Sequence, residues 1–177
     1  FIDNDEYFKR KAIFSDEDDA LFSDNDERAI FFAKGVVETV KKLNWAPDII
    51  HVHGWMASLL PLYLKEYYNE EPLFSESKIV ISVYNKDFEG TLNKDLVEKI
   101  KFDKISDDKT SVLEEPNYIN ILKSAVSNSD AIVHGSQEIP KELEDEINKT
   151  DVPKLSYQQE DSYEEYLNFY KELISEE

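Results

Sequence analysis

Apolar residues recur at Ile30, Ala33, Val36, Val37, Val40 and Leu43, steps of three and four that lay one stripe along a helix. The acidic cluster Asp24-Asn25-Asp26-Glu27 opens this helix, which the pattern carries to about Asn44 before Pro47 closes the region. Asp and Asn at such a start are expected to cap free N–H groups and to complement the positive end of the helix dipole. Ahead of it, residues 1–14 alternate apolar and polar near Tyr7-Phe8 and then enter the acidic loop Ser15–Asp19. Asp48–His53 is a short apolar run between turn residues, the pattern of a buried strand. Gly54 turns the chain into a second helix predicted over 56–68, where Pro61 is tolerated only near the first turn or as a kink.

The same alternation continues. Lys78–Val83, rich in β-branched residues, and Ala131–His134 predict two more strands, with a short fourth near Lys154–Tyr157. One or two short helices fall within 92–112, and Pro116 is placed to start a helix running to about Asn128. A charged helix is expected over 137–149 and a last one over about 161–175, with Tyr163, Tyr166, Leu167, Tyr170, Leu173 and Ile174 forming its adhesive face. Strands alternating with helices of ten or more residues predict an α/β fold with a parallel sheet and right-handed crossovers. Residues 1–177 read as a single domain, with 158–177 a terminal Tyr-rich helix that packs on it or else offers its face to a partner. The opening Phe1-Ile2-Asp3-Asn4 lacks an initiator Met and reads like a strand tail, so the chain is expected to be the later part of a longer polypeptide.

Charge narrows the list of partners. The 177 residues carry 39 acidic against 20 basic side chains, a net charge of -19. So acidic a surface repels phosphate backbones and anionic head groups, which argues against nucleic acid and membrane surfaces as partners. With 41% apolar residues the chain has a core to bury, and no apolar run reaches the ~18 residues of a membrane span. There is no cysteine, so disulfides and thiol catalysis are excluded. The cytoplasm is the expected compartment.

His51 and His53 stand two apart on a strand and therefore share a face. They could share a metal, or the first packs inward while the second reaches the ligand crevice at the strand ends. Trp55, after the turn glycine, either stacks on a sugar ring or covers the sheet end. The 24–27 carboxylates suit calcium, but the cluster lacks the glycine and distal glutamate of an EF-hand, and helix capping accounts for it. Three strand-end turns, 53–56, 84–90 and 134–138, are placed to share one crevice. No phosphate-binding glycine motif and no nucleophile elbow is present.

Several segments together resemble bacterial glycogen synthases and plant starch synthases. Asp24–Phe32 resembles their "DN-x-x-RF-x-FF" helix start, and Trp45–Ala57 their "W-x-PD…H-x-H-D-W-H-[AT]" strand and turn. Leu60–Lys65 matches the following helix, Ile81–Gly90 resembles "T-x-HN-x-x-[YF]-Q-G", and Ala131–Ser136 stands where the family has a strand ending in a "VS" turn. The resemblance covers roughly residues 1–140 in motif order. It implies the N-terminal, Rossmann-like domain of a GT-B glycosyltransferase, its first strands missing from this chain. It also implies the family's reaction, glucosyl transfer from ADP-glucose to an α-1,4-glucan, with no cofactor or metal. Gly54 and Met56 replace the Asp and the final His of the turn motif, and Tyr84 replaces the "HN" histidine beside a retained Asn85. The expectation is therefore a domain that does not catalyse by itself, with no catalytic or metal residue assigned. Asp24, Asn25, Arg28, His53, Trp55 and Asn85 are its candidate ligand contacts. Its expected partners are an α-glucan and a protein, in a binding, regulatory or scaffolding role.

Overall fold

The computed structural model describes residues 4–159 and 162–175. A one-turn helix α1 (Asp5–Phe8) precedes the long α2 (Asn25–Lys42), which leads into β1 (Ile49–His53). After the β1 turn come α3 (Leu60–Leu62) and β2 (Lys78–Val83). The charged region folds as α4 (Leu96–Phe102) and α5 (Asp107–Thr110), followed by α6 (Tyr118–Ser127) and β3 (Ala131–His134). The chain then forms α7 (Lys141–Ile147), β4 (Lys154–Leu155) and α8 (Tyr163–Ser175). All three strand pairings are parallel, in the order β1-β2-β3-β4.

That order decides where the helices lie. Strands added one after another in a single direction, each by a right-handed crossover, place every crossover helix on the same side of the sheet. Val52, Ile79, Ile81, Val83 and Ile132 face that side and join Leu122, Ala125 and Leu143 in the main core. The alternate residues Val80, Ala131 and Val133 face the other way, where α8 covers them with Phe169 and Leu173. A parallel sheet needs both faces buried. Among the described residues one helix, reached only after β4, covers the second face.

Four sequence expectations need correction. The helix foreseen over 56–68 is broken into a 3₁₀ turn (Trp55–Ala57), α3, and a π turn (Tyr63–Tyr67) closed by the Tyr68 N–H donating to the Tyr63 carbonyl at 2.9 Å. Pro61, which has no N–H to give, sits in the first turn of α3, where none is needed. Pro116 precedes α6 rather than starting it: its carbonyl accepts from Leu92 N–H, and Asn117 caps the helix by accepting from Asn120 N–H at 2.9 Å. The charged helix is shorter than expected, Lys141–Ile147. On α8 the inward residues are Phe169 and Leu173 flanked by Tyr166 and Tyr170, whereas Tyr163, Leu167 and Ile174 are exposed. Part of the expected 161–175 span lies outside the described residues.

Candidate functional site

The carboxyl ends of β1, β2 and β3 come together at one edge. His51 and His53 leave β1 on the α8 side of the sheet with ring centroids 4.0 Å apart. His51 Nδ1 lies 2.5 Å from the Tyr170 hydroxyl and its Nε2 lies 2.8 Å from the Ser82 hydroxyl, so both nitrogens are engaged. His53 reaches solvent and its Nδ1 meets the Tyr84 hydroxyl at 2.8 Å. Gly54 then takes φ +73° and ψ 157°, a region open essentially to glycine alone. The Trp55 N–H that follows donates to Asp87 Oδ2 at 3.1 Å, tying the β1 turn to the loop after β2.

Tyr84 organises this edge. A Cβ placed on Gly135 would stand 2.5 Å from Tyr84 Cε1, so the tyrosine ring lies on the bare backbone of the β3 turn. The Tyr118 hydroxyl donates to the Tyr84 carbonyl at 2.9 Å, and Asn85 N–H donates to the Ser136 hydroxyl. Glycine at 135 is what allows the close approach. The Tyr84 phenol thus bridges the β1 and β3 turns.

Burial holds His51 neutral, pushing its pKa down to about 4, and the neighbouring His53 adds to the effect. His53 is also lowered by desolvation. The hydrogen-bond partners of the pair are Ser82, Tyr170 and Tyr84, none of them a carboxylate. The unfolded chain protonates His51 near pH 6.5, the folded chain only near pH 4. Between these values the unfolded state binds the extra proton, so stability falls as the pH drops through that window. The expected loss from His51 between pH 7 and pH 5 is ~1–2 kcal/mol, reduced for the ring's residual solvent contact. Urea unfolding at both pH values checks it, and His51→Gln should flatten the difference; an unchanged difference would remove His51 as its source.

The first turn of α2 forms a separate, enclosed network. Asp24 is paired with Arg10 and makes no side-chain cap hydrogen bond, which corrects the capping role expected for it. That pairing is also the main cause of its lowered carboxyl pKa. Asn25 is fully buried, donating Nδ2 to the Phe14 carbonyl at 2.8 Å and accepting from an Arg28 guanidinium nitrogen at 2.6 Å. Arg28 is 2% exposed, its guanidinium packed between the rings of Phe8 and Phe22. Lys99 closes the network from α4, pairing with Asp26 at 2.6 Å and Glu27 at 2.7 Å.

The six candidate contacts thus separate. His53 and Asn85 stand exposed at the strand edge. Trp55 is 1% exposed between Phe14 and Phe88, so its faces are taken by protein rings rather than open to a sugar. Asp24, Asn25 and Arg28 belong to the α2 network, and Phe14, whose carbonyl accepts from Asn25, packs its ring against Trp55. Sequence reasoning placed the 84–90 turn at the edge without singling out Tyr84 or Asp87 as contacts, and it missed Tyr170 there. The one available signal was the glycine after β3, which leaves room for a ring without saying which ring fills it. Among the described residues no three of His, Asp and Glu are grouped to hold a metal ion.

Residues 1–156 match the starch synthase catalytic domain. Glycogen synthase of Chlorobium luteolum is 35% identical over 164 residues, covering 90% of this chain and 31% of that protein. Glycogen synthase of Chlorobium limicola is 35% identical over 138 residues, 77% of this chain and 28% of its own length. The glycogen synthase of Vibrio parahaemolyticus is 34% identical, with 82% of this chain and 30% of the relative aligned. The chain therefore spans about three tenths of the length of these curated relatives. α8 lies beyond the matched residues.

Proposed function

Since this chain belongs to the starch synthase catalytic-domain family, we propose that it is a cytoplasmic, glycogen-synthase-type domain that holds α-glucan at its strand edge without transferring glucose by itself. The observation that carries this reading is the β1 turn. Gly54 has no side chain, and the half-buried Met56 thioether neither ionises nor matches the hydrogen bonds of an imidazole. Transfer from a sugar nucleotide needs positive charge or directed donors at the departing phosphate. In the three edge turns the one Lys or Arg is Lys86, and Glu89 is its ion-pair partner. His53 and Asn85 remain to contact sugar hydroxyls.

The test is incorporation of labelled glucose from ADP-glucose into glycogen by the purified protein. Counts equal to a heat-inactivated control are expected. Sustained turnover above that control would overturn the reading.

A further inference from the structure

On the α8 side of the strand edge residues 157–159 and the first turns of α8 border a cleft of about 590 Å³. That is within the range of about 300–1,000 Å³ common for small-molecule sites. Tyr157, Gln158 and Gln159 form one wall, Tyr163, Tyr166 and Tyr170 the other, and Gly135 marks its end at the β3 turn. Every described lining residue is uncharged, although the chain as a whole carries a net charge of -19. Tyr163 is 77% exposed and Tyr157 41%, so the protein's own core does not use these rings up.

From this we infer that the cleft is an oligosaccharide subsite in which a glucan chain lies along the tyrosines of α8. The chemistry is selective. Tyrosine gives a flat apolar face with a polar tip, and glutamine gives both donors and acceptors. Together they match a pyranose, whose C–H face is apolar and whose rim is hydroxyl. A phosphorylated or nucleotide ligand would need cationic partners, and no Lys or Arg is among the described lining residues. Gln158 donates its Nε2 to the Ser156 carbonyl at 2.9 Å, which leaves its amide oxygen and the Gln159 amide to meet sugar hydroxyls. Tyr170 also joins the cleft to the edge, because its hydroxyl meets His51 while its ring lines the groove.

The α-1,4 linkage of the chain rests on the function proposed above; the groove's preference for a neutral polyol does not. The tyrosines of α8 follow residue 156, where the match to the family ends, while Gly135 at the end of the cleft lies within it.

Calorimetric titration with maltoheptaose separates the alternatives. In wild type a saturable isotherm is expected. Tyr163→Ala, at an exposed ring, should weaken it at least about tenfold, ~1.4 kcal/mol at 25 °C, with Tm unchanged. Gln159→Ala should weaken it less, and Phe102→Ala, on the 90% exposed ring of α4, should leave it as wild type. If affinity depends on His53 and Asn85 but not on Tyr163 or Tyr157, the groove is overturned while strand-edge binding stands. If wild type does not bind maltoheptaose, both the groove and the glucan part of the proposed function fall. The glucose-incorporation assay reads separately and is unaffected by either result.

Discussion

Phe169→Ala should destabilise the protein by ~3 kcal/mol, the usual cost of truncating a buried phenylalanine. Phe169 is 6% exposed and, with Leu173, packs on Val80, Ala131 and Val133. Among the described residues no other helix covers those valines and the alanine, because the crossovers occupy the opposite side of the sheet. The loss therefore combines the transfer of the ring to water with incomplete shielding of β2 and β3. Leu167→Ala, on the outer face of the same helix at 51% exposure, should change stability by less than about 0.5 kcal/mol. Urea midpoints for the pair give the comparison, and hydrogen exchange in β2 and β3 gives a local readout. A Phe169 variant losing less than about 1 kcal/mol would mean that α8 does not hold the second face shut.

The second large effect is expected at Asn25. Its carboxamide is the hydrogen-bond partner of the buried Arg28 guanidinium, while its Nδ2 satisfies the Phe14 carbonyl. Burial without a directly paired carboxylate already lowers the Arg28 pKa, and the nearby Arg10 adds to it. Among the described residues Arg28 Nε already lacks a partner, so Asn25→Ala removes a hydrogen-bond acceptor from a guanidinium that is poorly supplied with them and also strands the Phe14 carbonyl, a loss of ~3–4 kcal/mol. Arg28→Met keeps much of the volume between Phe8 and Phe22 and removes the charge, so its cost should stay below about 2 kcal/mol. In the Arg28→Met background Asn25→Ala should then cost only ~1–2 kcal/mol. Thermal or urea unfolding of the four proteins closes the cycle, and strict additivity would refute the coupling.

Both predictions concern features that the residue pattern conveyed unequally. β1, β2 and β3 were legible because buried parallel strands are short, β-branched and bounded by turn residues. The 3.6-residue period likewise placed α2. The 3₁₀–α–π sequence from Trp55 to Tyr67 was not legible, since one proline and a wide turn do not disturb apolar periodicity enough to show. Asp24–Glu27 looked like helix capping because spacing along the chain cannot show that Arg10 or Phe14 comes to meet it. Tyr84 escaped for the same reason: its partners, His53 and Gly135, are distant in sequence and adjacent only after the sheet pairs. On α8 the amphipathic pattern was clear, but it offered two overlapping apolar stripes. Only the sheet's bare residues select Phe169 and Leu173 over Tyr163 and Ile174.

The Tyr170–His51 contact spans 119 positions. On a ribosome moving at about 5–20 residues per second, that separation is roughly 6–24 s of synthesis between the two partners. During that interval β1, β2 and then β3 have emerged and their crossover side can pack, while Val80, Ala131 and Val133 wait for a helix not yet translated. A nascent chain is thus exposed to chaperone capture or mispairing on one side of its sheet, and a prematurely stopped chain would keep that side open for good.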